Sequence, residues 1–158
     1  MVSKYVIDSR EQFALIGEKL DGAWLDADKT TYNGRKASVK FFFRIVNYEE
    51  SELLERKWLG LKKTFRVPIN KACLQIRNVK KFNFDDTQKV GFYDLCEIKY
   101  NYDKKKVSLV TGIPLRVEVI VNSLDVILEL DEVPYKWIKK ASTLFGLVEN
   151  DLGRDLYG

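Results

Sequence analysis

The acidic side chains are the residues of this chain whose type and spacing could support catalysis or metal binding. Three of them, Asp125, Glu129 and Asp131, fall on one side of a predicted strand. Two more, Asp94 and Glu97, lie in a neighbouring predicted strand. Paired carboxylates can act as acid and base in glycoside cleavage, or they can hold a divalent cation. A carboxylate-dependent enzyme or a divalent-metal binder is therefore one hypothesis.

The same carboxylates also fit a structural role. They would form the charged outer face of a sheet, balanced across the strands by Arg116 and by lysines, and such charges discourage association of sheets. Asp26 and Asp28, which follow Trp24, allow the same two interpretations. We favour the structural interpretation in both places, so the segment 125–131 is not assigned as a site.

The absence of histidine is the most informative fact about catalysis. It excludes a Ser-His-Asp triad, a Cys-His pair, a histidine-ligated zinc site and a histidine general base within this chain. Cys73 and Cys96 are the only cysteines, which excludes a cysteine-rich metal site and iron–sulfur ligation by this chain alone. Gly-rich phosphate loops and the nucleophile-elbow motif are missing too. We therefore assign no catalytic residue, no metal ligand and no cofactor.

Length and charge are those of one soluble domain. The 158 residues predict a single globular domain over 1–158, and 46% hydrophobic with 32% charged residues is a globular composition. The net charge of +4 is small for a nucleic-acid binder. The basic runs at 62–63, 80–81, 104–106 and 139–140 are scattered among acids, so we interpret them as solvated surface.

A nucleic-acid surface would need aromatic rings interleaved with lysines on one exposed face. Tyr100 and Tyr102 stand close to the lysines at 104–106. Both tyrosines are in phase with Ile98, which favours packing against the core or a neighbouring element. Binding of nucleic acid or another polyanion is kept as an alternative function.

The start of the chain predicts neither export nor membrane insertion. It has no long apolar run or cleavage site of a signal peptide, and no apolar stretch approaches the ~18 residues of a membrane-spanning helix. We expect a cytoplasmic location, with Cys73 and Cys96 reduced and half-buried.

The stretch 90–131 predicts a run of adjacent antiparallel strands that scaffolds the fold. Turn signals at 103–104, 111–112 and 122–123 are about ten residues apart, as in a meander. Apolar residues recur at every second position, which is the period of a strand with one covered face: Val117, Val119 and Val121, then Leu124, Val126, Leu128 and Leu130.

An amphipathic helix is predicted over 10–20. Ser9 and Gln12 have the spacing of a capping box, and Asp21-Gly22 supplies a stop. The apolar residues at helical spacing are Phe13, Ile16 and Leu20.

A hairpin is predicted at Asn33-Gly34, because both residues tolerate positive φ. Its return strand, 36–47, has apolar residues on both faces and is a candidate for the centre of the sheet. Phe41, Phe43 and Ile45 lie on one face, and Phe42 and Val46 lie on the other.

The middle of the chain is less clear. The apolar spacing in 47–60 favours a short helix, and the alternative is a long excursion between strands. Pro68 is expected at a strand end or edge because it cannot donate to a ladder. A turn is predicted at Asn70, followed by one strand over 73–84 with a bulge near Val79.

A C-terminal helix is predicted to begin at Pro134, where the missing N–H is no loss. Ile138, Ala141 and Phe145 would share its apolar face, and Gly146 would end it.

These observations predict a mainly β fold: an antiparallel sandwich, curled sheet or barrel of about seven to nine strands, flanked by an N-terminal and a C-terminal helix. The function we expect is a non-catalytic cytoplasmic domain that binds another protein or assembles with itself. Nucleic-acid or other polyanion binding and a carboxylate-dependent activity are the alternatives. No family resemblance supports any of them.

Overall fold

Alternating apolar residues form thirteen β-strands in a computed structural model, which describes residues 1–57, 59–143 and 146–147. The strands are β1 Val2–Ile7, β2 Ala23–Asp26, β3 Thr31–Asn33, β4 Ser38–Val46, β5 Glu52–Lys57, β6 Lys62–Ile76, β7 Val79–Asp85, β8 Phe92–Asn101, β9 Lys106–Thr111, β10 Arg116–Val121, β11 Val126–Asp131, β12 Lys136–Thr143 and β13 Gly146–Leu147.

One short α-helix, α1 Ala14–Lys19, lies between β1 and β2. A 3-10 turn at Glu11–Phe13 precedes it, so the predicted helix over 10–20 is confirmed in position. The predicted capping box is confirmed in part: the Gln12 N–H donates to Ser9 Oγ at 3.4 Å, but Gln12 Oε1 accepts from the Asp8 N–H at 3.2 Å and not from that of Ser9. No helix in the described part of the chain is long and apolar enough to cross a membrane.

The strands pair into one antiparallel sheet that does not close on itself. Their order is β1-β11-β6-β4-β2-β8-β9-β10-β7, with β3 on β4, β5 and β12 on β6, and β13 on β12. The mainly β, antiparallel prediction is confirmed. The strand number was underestimated, and only one of the two predicted helices is present among the described residues.

The sheet consists of two halves that meet at β8, because β8 pairs with strands of both. Its first residues pair with β2 and the rest pair with β9, with an irregularity between Leu95 and Glu97. The last strand, β7, returns over β4, where the Phe82 and Phe41 rings are 6.1 Å apart. The main core fills the space between the halves, and its fully buried side chains include Phe41, Phe43, Leu74, Ile76, Val119 and Leu128.

The meander prediction is confirmed for β8, β9 and β10, which pair consecutively. It is wrong for β11, which leaves the meander to lie between β1 and β6 in the other half. The hairpin of β3 and β4 is confirmed as well, with Asn33 opposite Ser38. Its turn is longer than Asn-Gly alone, because the Asn33 side chain accepts from the Lys36 N–H at 3.1 Å and Ala37 has φ 47°.

The segment 47–60 is not a helix. After a 3-10 turn at Tyr48–Glu50 it forms β5, which pairs with the start of β6. The alternative prediction, a long excursion between strands, is closer to the structure than the helix is. Trp58 lies outside the described residues. Pairing with β6, the next strand of the chain, overrides the weak helical spacing here, since β6 offers its backbone groups to β5 from Lys57 opposite Lys62 to Glu52 opposite Arg66.

The predicted C-terminal helix is also wrong, because 136–143 forms β12. It pairs with β6 over eight residues, from Lys136 opposite Ile69 to Thr143 opposite Lys62. Ile138 is buried and Trp137 is 38% exposed, as alternation in a strand requires. Phe145, the other end of the proposed apolar face, lies outside the described residues.

The single strand predicted over 73–84 is two strands. The chain turns at Asn78, whose φ is 57°, and β7 then belongs to the opposite end of the strand order from β6. The turn predicted at Asn70 is wrong, since Asn70 lies inside β6 and pairs with Ile45.

Pro68 lies in the interior of β6 rather than at an end. Its carbonyl accepts from the Asn47 N–H at 3.1 Å, just past the end of β4. The N and O of one residue in a strand point to the same side. The missing donor of Pro68 therefore falls where β4 ends and β5 begins, which is why the ladder tolerates it.

Candidate binding site

The sequence-predicted carboxylates of β8 and those of β11 do not converge on one site, although Glu129 and Asp131 of β11 line the same cavity. Asp94 lies on β8 and Glu129 lies on β11, with β6, β4 and β2 between them in the strand order. Four strand spacings amount to about 19 Å, which is too far for one metal ion or one glycosidic bond. Within the described residues, no group of three or more His, Cys, Asp and Glu side chains could hold a metal ion.

Most of these acids have structural partners. Asp125 pairs with Arg77 at 2.8 Å, and Glu97 pairs with Lys99 at 3.4 Å. The Asp94 carboxylate accepts the Gly112 N–H at 2.9 Å.

The two acids near Trp24 differ from each other. Asp26 is buried and lies 3.9 Å from Lys29, while Asp28 is exposed. In the part of the chain that the structure describes, neither belongs to a group of three or more His, Cys, Asp and Glu side chains that could hold a metal ion.

The structure brings two of the predicted basic runs onto paired strands, 62–63 on β6 and 139–140 on β12, while 80–81 lies on β7 and 104–106 lies at the turn into β9. Tyr100 is half-buried, and its ring is 5.5 Å from that of Phe13, as its phase with Ile98 predicts. Tyr102 is 59% exposed, so it does not pack in the core; it lies under Arg10 of the segment before α1, 5.5 Å from the guanidinium carbon. Binding of nucleic acid or another polyanion stays a prediction.

A cavity of about 320 Å³ does gather chemically diverse side chains on the outer face of β4 and β6. The register places Phe42 of β4 and Glu129 of β11 on either side of Cys73 of β6. The next cross-strand pair on this same face of β4 and β6 is Arg44 opposite Lys71. The cavity is lined by Lys29, Phe42, Arg44, Lys71, Cys73, Glu129 and Asp131, together with Ala72.

Cys73 in this cavity is not poised as a nucleophile. Burial raises the pKa of its thiol, and although Lys40 lowers that pKa, Glu129 raises it further. A raised pKa keeps the sulfur protonated at neutral pH, whereas thiolate is the reactive form. The expectation of a half-buried cysteine is confirmed for Cys73, but Cys96 is exposed.

One basic side chain of the cavity, that of Arg44, is unusually deeply buried. Arg44 is only 7% exposed, and its Nε has no hydrogen-bond partner in the described structure. The Tyr135 ring lies 4.8 Å from the Arg44 guanidinium carbon and 4.8 Å from Lys71 Nζ. Arg44 and Lys71 therefore both contact the Tyr135 ring, which Lys136 Nζ also approaches to 5.6 Å. A small apolar cluster lies beside them on this outer face, formed by Val46, Val67, Ile69, Phe92 and Ile138.

Sequence reasoning missed Arg44, Lys71 and Tyr135. One signal could have revealed Arg44: it is a charged residue within 36–47, the strand predicted to be covered on both faces. That cover is confirmed, since Phe42 is half-buried and Val46 is buried.

A second surface is formed by three strands that extend together: β5, the first residues of β6, and β12. We call it the arm. All six residues of β5 are exposed, and Leu53 and Leu54 keep about half of their surface in solvent, at 51% and 47%. Within the described residues, β5 has a single neighbour, β6, so its other edge presents unpaired backbone groups.

Comparison of the chain with models of protein families, with curated proteins and with solved structures gives no match. The function is therefore inferred from the cavity and the arm alone.

Proposed function

We propose that this chain is a non-catalytic cytoplasmic domain that assembles with a second copy of itself through the free edge of β5. The observation that carries the proposal is the exposure of β5 on both faces together with its unpaired edge. An edge strand of this kind can add a strand from another chain through main-chain hydrogen bonds.

The order of charges along β5 selects the partner and its direction. Glu52 stands at the start of the strand, and Arg56 and Lys57 stand at its end. When two copies pair antiparallel about the middle of β5, Glu52 of each copy faces Arg56 or Lys57 of the other. A parallel pairing would place Glu52 against Glu52, and like charges directly opposite are destabilising. The antiparallel arrangement also closes under a two-fold axis.

The apolar residues sit where such a pairing is centred. Leu53 and Leu54 lie where the register of β5 on β6 shifts, and both keep about half of their surface in solvent. Charged ends and the irregularity between Leu53 and Glu55 disfavour pairing with an arbitrary strand. A self-complementary copy satisfies these restrictions, so we expect a weak, specific dimer.

The test is the oligomeric state in sedimentation equilibrium, measured over a wide range of concentration. The single variants Glu52→Lys and Lys57→Glu each place like charges across the interface. Two symmetry-related contacts are affected, so we expect dissociation constants about 5- to 30-fold larger. The double variant restores opposite charges in reverse order and should recover dimerisation.

The matched controls are the single variants Glu97→Lys and Lys99→Glu on β8, which make the same charge changes at an exposed pair outside the arm. They should leave the dimer intact. A strictly monomeric protein at all concentrations contradicts the proposal. Equal weakening by the single variants of β5 and those of β8 also contradicts it, since it would reflect overall charge rather than a β5 interface.

A further inference from the structure

We infer that the cavity on the outer face of β4 and β6 is a binding site for one small oxyanion, a carboxylate or a phosphate group, held by Arg44 and Lys71. This site is separate from the β5 edge, and the two can succeed or fail independently. The inference rests on the burial of Arg44, on its unpaired Nε and on the charge distribution around the cavity.

The Arg44 guanidinium lacks the anion that a buried cation normally has. Among the described residues, no carboxylate oxygen lies within the 4.0 Å of an ion pair from Arg44 or from Lys71. Arg44 and Lys71 are direct cross-strand neighbours, which adds repulsion between like charges. Charged side chains are almost never this deeply buried without a partner.

The Tyr135 ring compensates only part of this cost. A cation over an aromatic face gains about 0.5–2 kcal/mol, whereas burying an unpaired ion costs several kcal/mol. The difference favours an oxyanion that accepts side by side from the terminal nitrogens of the guanidinium, since arginine binds carboxylate and phosphate in such a paired geometry. Lys71 would add a second positive charge on the same side.

The cavity also limits what else the ligand can be. Its volume of about 320 Å³ is at the lower end of small-molecule sites, which suits a metabolite-sized molecule. Phe42 supplies an apolar wall beside the cations. Glu129 and Asp131 enter from β11 on the other side, so a ligand with a second anionic group would be repelled there.

The test follows the Nε–H resonance of Arg44 in proton–nitrogen NMR spectra while inorganic phosphate or acetate is added at constant ionic strength. We expect a saturable shift with at least one of the two anions. Saturation by phosphate alone identifies a phosphate ligand, saturation by acetate alone identifies a carboxylate ligand, and saturation by both identifies a general oxyanion site. The absence of a saturable shift with either anion overturns the inference.

Variants separate a defined site from general charge attraction. Arg44→Gln should weaken binding about 10- to 100-fold, as expected for the loss of a charge-assisted hydrogen bond. Because Arg44 is buried and its replacement could disturb folding, Lys71→Gln at a half-buried position is the second variant, followed through the backbone resonances of β6. Arg116→Gln, on β10 with a side chain 67% exposed, is the control and should bind as the parent does. Equal weakening by Arg116→Gln and Lys71→Gln would refute a defined site.

Discussion

The Asp94 carboxylate occupies the space where a side chain of Gly112 would begin, and it accepts the Gly112 N–H at 2.9 Å. The Gly112 N–H also donates to the Asp94 carbonyl at 3.1 Å. A Cβ at position 112 would overlap the carboxylate. The turn after β9 therefore needs glycine for its missing side chain, and the carboxylate predicted as a catalytic candidate acts as a brace for this turn.

Gly112→Ala should lower the free energy of unfolding by about 1–3 kcal/mol, because Asp94 must move and lose its hydrogen bond. In an Asp94→Ala background the same change should cost less. Urea denaturation of the four proteins of this double-mutant cycle measures the coupling, which we expect to be about 1 kcal/mol or more. Additive effects would contradict direct overlap.

Gly17→Ala is the matched control. Gly17 is exposed within α1, and no atom lies within 4 Å of a Cβ added there. Alanine is a better helix former than glycine, so this variant should be more stable by up to about 1 kcal/mol. The same substitution thus has opposite signs at the two glycines.

Tyr93 is fully buried, and its hydroxyl donates to the Asp86 carboxylate, which also accepts the Lys89 N–H at 3.0 Å. Tyr93→Phe should lower the free energy of unfolding by about 1.5–3 kcal/mol, the range for a hydrogen bond to a charged group. Equilibrium denaturation at neutral pH measures this loss. Unchanged stability would mean that the Asp86 bond contributes nothing in solution.

Burial, followed by the hydrogen bond to Asp86, raises the pKa of Tyr93 above its ordinary value of 10.0. The stabilisation from a raised pKa is complete below the unfolded value and is lost as the pH rises towards the folded value. The stability difference between the parent and Tyr93→Phe should therefore narrow above pH 10. A difference that stays constant into strong alkali would contradict the shifted ionisation.

Glu118 bridges two cations on the outer face of β10. Burial raises the pKa of Glu118, but Lys106 and Arg116, both 3.5 Å away, lower it by more, so the net pKa falls below its ordinary 4.5. A lowered pKa stabilises the fold above the unfolded value, and this stabilisation is lost as the pH falls through the folded value. Glu118→Gln should cost up to about 1 kcal/mol at neutral pH and less in acid.

Urea denaturation at several pH values checks the Glu118 prediction, with Glu97→Gln as the control. Glu97 also pairs with a lysine, but its side chain is 57% exposed. The control should therefore show little effect at any pH. If Glu118→Gln destabilised the protein equally at pH 7 and pH 3, the ion pairs would not be the cause.

The two cysteines should react at different rates with a thiol reagent. Cys96 is exposed, while Cys73 is half-buried with a pKa raised by burial. Since only the thiolate reacts, we expect a fast phase and a slow phase of equal amplitude. Cys73→Ser should remove the slow phase alone, and denaturant should merge the phases in the parent protein. A single phase in the folded parent would show that the Cys73 site opens freely.

The parts of the fold that sequence predicts well are those decided by near neighbours. The turns after β8 and β9 are encoded in residues such as Asn101, whose side chain accepts the Lys104 N–H at 3.0 Å, and the flanking strands alternate regularly. By contrast, β12 forms on a distant strand, β6, although its local spacing favours a helix. The strand β5 pairs with β6 directly after it in the chain, but its local spacing also favours a helix. Lys140 adds to the error, because it is buried on the Ile138 side where alternation predicts an apolar residue.

The candidate site has the same non-local origin. Arg44, Lys71 and Tyr135 come from three separate segments, and only the register of β4 on β6 makes Arg44 and Lys71 neighbours. The acids were visible as a pattern along one strand, but spacing in the sequence does not reveal that β11 and β8 lie on opposite sides of β6, β4 and β2.

The pairing of β1 with β11 joins Val2 to Asp131. During synthesis at roughly 5–20 residues per second, β1 would wait about 6–26 s before its partner strand is made. Val2 and Val6 remain solvent-exposed even in the finished ladder, and through that interval Ile7 would be uncovered as well. The nascent chain therefore carries β1 unpaired until β11 has been made, and its exposed apolar residues are open to contact with other chains during that time.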